Sequence, residues 1–559
     1  MKRSYRLKTI LTLILFLVFV SSATADKKTD AVDKLFSQWD KKDSPGCALA
    51  VIKDGEIIYK KGYGMANLEL NIPITPQSVF YIGSVSKQFV SMCIVLLAKE
   101  EKLSLDDNIR KLVPELPDYG TPITIRHLIH HTSGLRDYLT LLGIAGIDYG
   151  TYHKEDVVEL IARQKQLNFN PGEEYLYSNS GYFLLAVIAE RASGKSLREF
   201  AEENIFKPLG MKNSHFHDDY MMLIKNRASG YFPSGKGKFR NFISTFDCVG
   251  SGGLFTSVED LFLWDQNFYH YKVGEKDLIN LMLTKGKLNS GEELDYAFAL
   301  GIGKYKGLKT VGHGGALGGY RSVFVRFPEQ NFSVICLSNL SSFNPSRLGQ
   351  QVTDIYLADQ FTVEKEKPVA KPVEETRFIK LPKKKLQEKA GTYMDPKTGA
   401  FRRLGLRGNA LILEVSGQRY NLAAVSETEF KVLKVPVEMM LKFEKQDKGK
   451  PILMHIYRDG KKSETYESFK QVKATPEQLE EYTGDYYSEE LQVTFRLALK
   501  EGKLHFVHRN APENPLLPTL KDKFNVRSYR INFIRNEEEE PTGFILDAGR
   551  VKNLRFDKK

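Results

Sequence analysis

From Pro45 onward apolar and polar residues alternate, and ALAVIKDGEIIYKKGYG sets an Asp54-Gly55 pair between two strand-like runs, so the chain opens on a β-hairpin. In SVSKQFVSMCIVLLAKEEKL the period changes. Phe89, Val90, Cys93, Leu96 and Leu97 recur at helical spacing, which predicts a helix starting at or near Ser84. Further short helices are expected over 124–131 and 155–163, a buried helix over 180–193, and a helix capped by the Ser257-Val-Glu-Asp260 signal ahead of LFLWDQNF. Strand character returns over 294–340 in YAFALGIGKY, LKTVGHGG, RSVFVRF and FSVICLSNL, broken by Gly, Pro and Asn. Strands at both ends with helices between them predict one mostly antiparallel sheet flanked by helices, an α+β class, in contrast to regular βαβ alternation.

Past residue 362 the text turns rich in Pro and mixed charge (VEKEKPVAKPVEETRFIKLPKKKL), which marks an exposed linker over 363–384. Beyond it lie only short alternating runs such as ALILEV, EFKVLK and QVTFRLALKEGKLHFVH. LQEKAGTYMD, with Gly391 and Tyr393, returns as LEEYTGDYYS, with Gly484 and Tyr486, and strand-like runs follow each copy. Two small antiparallel β-barrels over 385–472 and 473–559 explain the repeat, because closing a small sheet removes its exposed edges; a single long β-sandwich is the alternative.

At 559 residues the chain is too long for one core, and two or three domains are expected, the first over 26–362. MKRSYRLK, the apolar run from Thr9 to Val20, and then SSATA ahead of Asp26 follow the order of a secretory signal peptide, with cleavage expected after Ala25. The apolar run is shorter than the roughly 20 residues that cross a bilayer, so no stable span is expected after cleavage and the chain is expected to be periplasmic or secreted. Loss of residues 1–25 takes away Lys2, Arg3, Arg6 and Lys8 and no acidic residue, which brings the formal charge from +12 to +8. That excess is spread along the chain rather than gathered into a basic arm, which speaks against nucleic acid as a partner. Cys47, Cys93, Cys248 and Cys336 stand among apolar or small residues in no metal spacing and read as buried free thiols.

Three short constellations carry chemistry. Ser84 and Lys87 form the only S-x-x-K of the chain, which puts hydroxyl and amine on one helical face at a helix N-terminus, where free N–H groups favour a developing oxyanion. Tyr177-Ser178-Asn179 is the only Y-x-N: the Tyr177 phenol can relay a proton between Ser84 and a leaving group, and Asn179 can offer its amide to a substrate backbone. The third is His313-Gly314-Gly315, whose glycines let a substrate approach the backbone of a strand edge; a histidine satisfied within the core is the plain alternative for His313.

In this order and wide spacing, S-x-x-K, Y-x-N and H-x-G resemble the serine β-lactamase, penicillin-binding DD-peptidase and esterase superfamily, in its class C-like branch. The resemblance extends to IGSVSKQF, LIHHTSGL around His131 and Gly134, PGEEYLYSNSGY, GSGGLFTSVEDL and GHGGALGGY, thus most of residues 30–360. It implies a serine hydrolase working through an acyl-enzyme on an amide, ester or lactam carbonyl, with Ser84 as nucleophile, Lys87 and Tyr177 handling protons in an order left open, Asn179, His313 and Gly315 binding substrate, and the N–H groups of Ser84 and Ala316 as the oxyanion hole. No cofactor or metal enters this scheme. Class C lactamases carry K-[ST]-G where this chain has H-G-G, so the resemblance points away from efficient lactam hydrolysis and toward D-aminopeptidases, DD-carboxypeptidases and esterases. The paired barrels resemble those of D-aminopeptidase-like members. A small peptide, including cell-wall peptides, or an ester is then the expected substrate. A non-catalytic sensor or scaffold binding penicillin or peptidoglycan peptides is the other function this fold admits, and oligomeric state is left open.

Overall fold

A computed structural model of the chain describes residues 27–147, 152–362 and 378–559, apart from 397–398, 416–417, 434, 436–437, 448–449, 459, 473, 509–510 and 527–528. The signal-peptide reading lies outside these residues, as does most of the linker reading. The chain divides into two compact units, one essentially up to residue 364 and the other from residue 365 onward.

The first unit is built on a six-stranded antiparallel sheet. Its strands are β1 (Cys47–Lys53), β2 (Glu56–Tyr63), β3 (Gly301–Tyr305), β4 (Leu308–Leu317), β5 (Tyr320–Phe327) and β6 (Phe332–Ser338), in the spatial order β3-β4-β5-β6-β1-β2. Asp54 and Gly55 both take positive φ, 51° and 83°, as the tight turn between right-twisted strands demands. β1 is buried along nearly its whole length because both faces are covered. On one face Cys47, Leu49 and Val51 pack with Val32 and Phe36 of a helix over 27–36 and with Leu348 and Val352 of a helix late in the unit, Pro345–Leu357. Val258–His270, which follows the predicted Ser257 cap, lies against β1 and β6; Ser257 Oγ accepts from Asp260 N at 3.2 Å.

Two helices bring in the remaining chemistry, α1 (Lys87–Lys99) and α2 (Asn179–Ser193), both buried along most of their length and packed together. The helix expected at Ser84 begins three residues later, because Gly83–Ser86 forms a 3₁₀ turn that leads into α1. In such a turn side chains three apart eclipse, which aligns Ser84 with Lys87 more closely than an α-helical turn would. A small sheet of Phe80–Tyr81, Leu254–Thr256 and His215–Phe216 ties the entry to this turn to the 250–253 loop.

The second unit has two β modules. The first is a closed antiparallel barrel of eight strands, from Gly391–Met394 to Lys461–Phe469. The second has nine antiparallel strands and is a near-closed barrel, with Ala511–Pro515 and Leu517–Leu520, adjacent in the chain, at the two edges of its sheet. The sequence repeat is a structural one: a one-turn helix precedes each Gly-x-Tyr strand, and the tyrosine hydroxyl donates four residues back, Tyr393 to Lys389 O at 2.9 Å and Tyr486 to Tyr482 O at 3.0 Å. Among the described residues all four cysteines are free and buried, and no helix is long and apolar enough to cross a membrane.

Candidate active site

Lys87 organises the site. It is fully buried, and its Nζ donates to Ser84 Oγ at 3.0 Å, Asn179 Oδ1 at 3.1 Å and the Ser251 carbonyl at 2.5 Å. Three acceptors match the three hydrogens of an ammonium, which is how a buried charge is tolerated. Two aromatic faces complete its shell, with ring centroids 5.0 Å away at Tyr177 and 5.6 Å away at Tyr182. The Asn179 backbone N–H, at the start of α2, donates to Asp137 Oδ2 at 2.6 Å, which pins the helix end that presents both Asn179 and the preceding Tyr177.

β4 closes the site from another direction. A methyl group at Gly315 would come within 2.0 Å of the Ile82 carbonyl oxygen, and one at Gly83, where φ is +54°, within 2.6 Å of Ala316 N. Glycine is therefore what lets β4 and the Ser84 turn meet backbone to backbone, and it sets Ala316 N beside the residue preceding Ser84. Ser322 Oγ holds the same junction from β5 by donating to Ile82 O at 2.7 Å. β3 pairs with β4 only as far as Gly312, so past that residue this edge of β4 has no partner strand among the described residues. Substrate backbone can lie along such an edge.

The structure thus brings Ser84, Lys87, Asn179, Gly315 and Ala316 together around one point, with Tyr177 against the Lys87 ammonium. His313 stands nearby, its ring centroid 6.1 Å from that of Tyr177, but both its nitrogens face the protein: Nε2 lies 3.1 Å from Tyr296 Oη and Nδ1 lies 2.5 Å from Gly314 O. Burial, and next the Lys87 ammonium, push its pKa down to about 4, so the ring is neutral at neutral pH.

Three contributors escape a reading of the sequence alone. Ser251 serves Lys87 through its carbonyl, which any residue could supply; its side chain meets Tyr138 Oη at 2.9 Å. The loop around it is clamped by Gly253 N donating to Tyr81 Oη at 3.0 Å and Leu254 N donating to Ser86 Oγ at 3.1 Å. Tyr296 comes from a run legible only as strand, and His131 sits in a motif that gives it no role. Among the described residues no three His, Cys, Asp or Glu side chains stand together as metal ligands.

A family model described as Beta-lactamase matches residues 32–354. Penicillin-binding protein 4* of Bacillus subtilis is 29% identical over 448 residues, 75% of this chain and 94% of that one. A D-aminopeptidase of Gluconobacter oxydans is 30% identical over 336 residues, 56% of this chain and 62% of its own length. Among solved structures, the octameric penicillin-binding protein homologue from Pyrococcus abyssi superposes with a TM-score of 0.55 at 26% identity, covering 79% of this chain and 99% of that one.

Proposed function

Since the chain belongs to the β-lactamase family and is a serine hydrolase of that fold, we propose that Ser84 is its nucleophile and that it cleaves peptide bonds flanked by D-amino acids, or small esters, outside the cytoplasm. The observation that carries this reading is the buried Lys87 ammonium 3.0 Å from Ser84 Oγ, a contact that a merely structural serine has no use for. Ser84 Oγ attacks the carbonyl as the Lys87–Tyr177 pair, with one of its two groups deprotonated (a Tyr177 phenolate beside the Lys87 ammonium, or a neutral Lys87 amine), accepts its proton. The oxyanion settles between the N–H groups of Ser84 and Ala316, and the same pair protonates the leaving group. Water then hydrolyses the Ser84 ester by the reverse proton path. The Asn179 side-chain N–H₂, the half that Lys87 does not use, is the donor for a substrate carbonyl.

His313 supports the choice among substrates. A neutral imidazole with both nitrogens engaged offers no cation to a lactam or C-terminal carboxylate, so bonds whose leaving side is uncharged are favoured: aminopeptidase, amidase or esterase chemistry over lactam hydrolysis. The relatives named D-aminopeptidase support the same class. The signal-like first 25 residues support export, and the composition supports a division into a catalytic domain over 26–362, a linker over 363–384 and barrel domains over 385–472 and 473–559. A hydrolysis panel tests the substrate class. A D-alanyl anilide and a short-chain nitrophenyl ester are expected to turn over faster than a D-Ala-D-Ala peptide or a chromogenic cephalosporin, and Ser84→Ala is expected to hydrolyse none of them. Fastest turnover of the cephalosporin, or undiminished rates in Ser84→Ala, would overturn the reading.

A further inference from the structure

We propose that His131, Tyr296 and His313 form a hydrogen-bond chain of fixed proton direction that holds β4 in register with Ser84, making Tyr296 and His131 positioning residues for the oxyanion site. The direction follows from two backbone groups, one at each end. The Ser178 N–H can only donate, and it meets His131 Nδ1 at 3.2 Å. A neutral His131 then carries its hydrogen on Nε2, which faces Tyr296 Oη at 3.2 Å. Having accepted there, Tyr296 turns its own O–H to His313 Nε2, 3.1 Å away. The Gly314 carbonyl can only accept, so a neutral His313 carries its hydrogen on Nδ1, which faces Gly314 O at 2.5 Å, and leaves Nε2 to accept from Tyr296. The Ser178 N–H fixes the hydrogens at the N-terminal end of α2, and the Gly314 carbonyl fixes them at the backbone of β4.

The position of the chain gives it a use. β4 loses its β3 partner at Gly312, one residue before His313, so the segment carrying Gly315 and Ala316 has no strand on that edge among the described residues. The anchorage of His313 supplies there the restraint a neighbouring strand gives elsewhere. Tyr296 is buried, and it lies on the segment just before β3, bridging to Gly301. The ring stack agrees with a built arrangement: His131 lies 4.1 Å from Tyr177 and 4.9 Å from Tyr296, centroid to centroid.

The chain tolerates only a neutral His313. A proton on Nε2 would oppose the Tyr296 O–H and turn it away from His313 toward its other hydrogen-bonding neighbour, Tyr182, which breaks the link to β4. Lys87 and the phenols of Tyr175, Tyr177, Tyr182 and Tyr296 are the titratable groups around the His131–His313 path, and of these the Lys87 ammonium opposes the proton as well. Acidification should therefore break the chain and lower activity without unfolding the site.

The proposal rests on the Ser84 reading for its catalytic consequence, but its geometry can be tested apart from it. In the full chain, Tyr296→Phe is expected to lower kcat on a nitrophenyl ester by about 10- to 100-fold, to leave KM within about twofold, and to move the acid limb of the rate profile upward by about one pH unit or more, because His313 Nε2 becomes free to take a proton. His131→Gln, which keeps a donor at the position of Nε2, should retain more activity than His131→Leu. An unchanged kcat and acid limb in Tyr296→Phe, or equal losses in His131→Gln and His131→Leu, would overturn the chain. Nitrogen-15 NMR of histidine-labelled protein, assigned with His313→Asn, reads the tautomer without any substrate: an Nδ1–H signal for His313 at pH 7 is expected, and an Nε2–H signal would overturn the chain even if the hydrolase reading stood. If no ester or anilide is hydrolysed at all, the hydrolase reading fails and the tautomer still decides the chain.

Discussion

In the catalytic unit a lysine with no exposed surface, a buried Asp137, a buried Arg326–Asp265 pair and glycines in backbone-to-backbone contact crowd into the interior; in the C-terminal unit the first barrel's core is Leu, Ile, Val, Ala, Met, Phe and Tyr, and, apart from the buried Lys389 and Glu490, the charged side chains lie nearer the surface. The glycines differ in the same way. A methyl group at Gly62, Gly312 or Gly315, in the sheet that carries the site, would strike backbone at 2.0–2.4 Å, whereas one at Gly391, Gly405, Gly408, Gly460 or Gly549 would meet nothing within 4 Å; surface turns of the first unit, as at Gly194 and Gly210, are open too, and Gly543 of the second barrel is tight, 2.5 Å from Phe556 O. Buried polar groups and forced close approaches are costly unless every partner is in place, so a fold concentrates them where geometry must be held to fractions of an ångström. The barrels need only a sheet curled round an apolar filling.

The largest effect is expected at Lys87. Lys87→Ala is expected to lower kcat by about 10³-fold or more, since Ser84 loses its proton partner; a loss under tenfold would remove Lys87 from the chemistry. Gly315→Ala comes next. Forcing β4 away from Ile82 should cost about 10²-fold in kcat/KM, while Gly405→Ala, in open space, should change neither activity nor Tm. Equal effects at the two glycines would erase the distinction between the units.

Ion pairs extend the test to stability. Arg326 Nε lies 3.2 Å from Asp265 Oδ1 with side chains 3% and 1% exposed, and Ser333 Oγ donates to the same carboxylate at 2.7 Å. Asp265→Ala leaves the guanidinium uncompensated and should cost about 3–5 kcal/mol in the catalytic unit's unfolding transition. The Arg496–Asp485 pair of the second barrel, 66% and 42% exposed, should be worth under about 1 kcal/mol on Arg496→Ala.

The smallest effect is with pH. Burial pushes His130, His215, His217 and His313 down to about 4. Between about pH 6.5 and 4 the unfolded chain then binds more protons than the folded one, so stability present above 6.5 is lost as the pH falls through this window. All four histidines lie in the first unit, so its unfolding temperature should fall over that range by more than that of the barrels; parallel losses in the two units would contradict this.

Much of the site is legible in the sequence because proton-handling side chains have few substitutes. Ser84, Lys87, Tyr177 and Asn179 announce themselves by residue type and spacing, and the hairpin at Asp54-Gly55 by its turn chemistry. Ser251 is illegible because it works through a carbonyl that every residue owns. Tyr296 and His131 are illegible as partners because they meet only when β3 is added at the sheet edge, far along the chain from the helices they serve. The 3₁₀ turn under Ser84 is missed for a local reason, since helical periodicity from Phe89 onward says nothing about how the preceding turn is wound. In the second barrel, strand-like runs reveal the strands but not that nine of them form a sheet with two edges.

Acylation at Ser84, activated by Lys87, is open to direct observation. Intact-mass and peptide mass spectrometry of the full chain after a fluorophosphonate pulse tests both at once. One adduct per chain on the peptide bearing Ser84, strongly slowed in Lys87→Ala and absent in Ser84→Ala, is the predicted result; labelling at another residue, or labelling of Lys87→Ala at the parent rate, would contradict it.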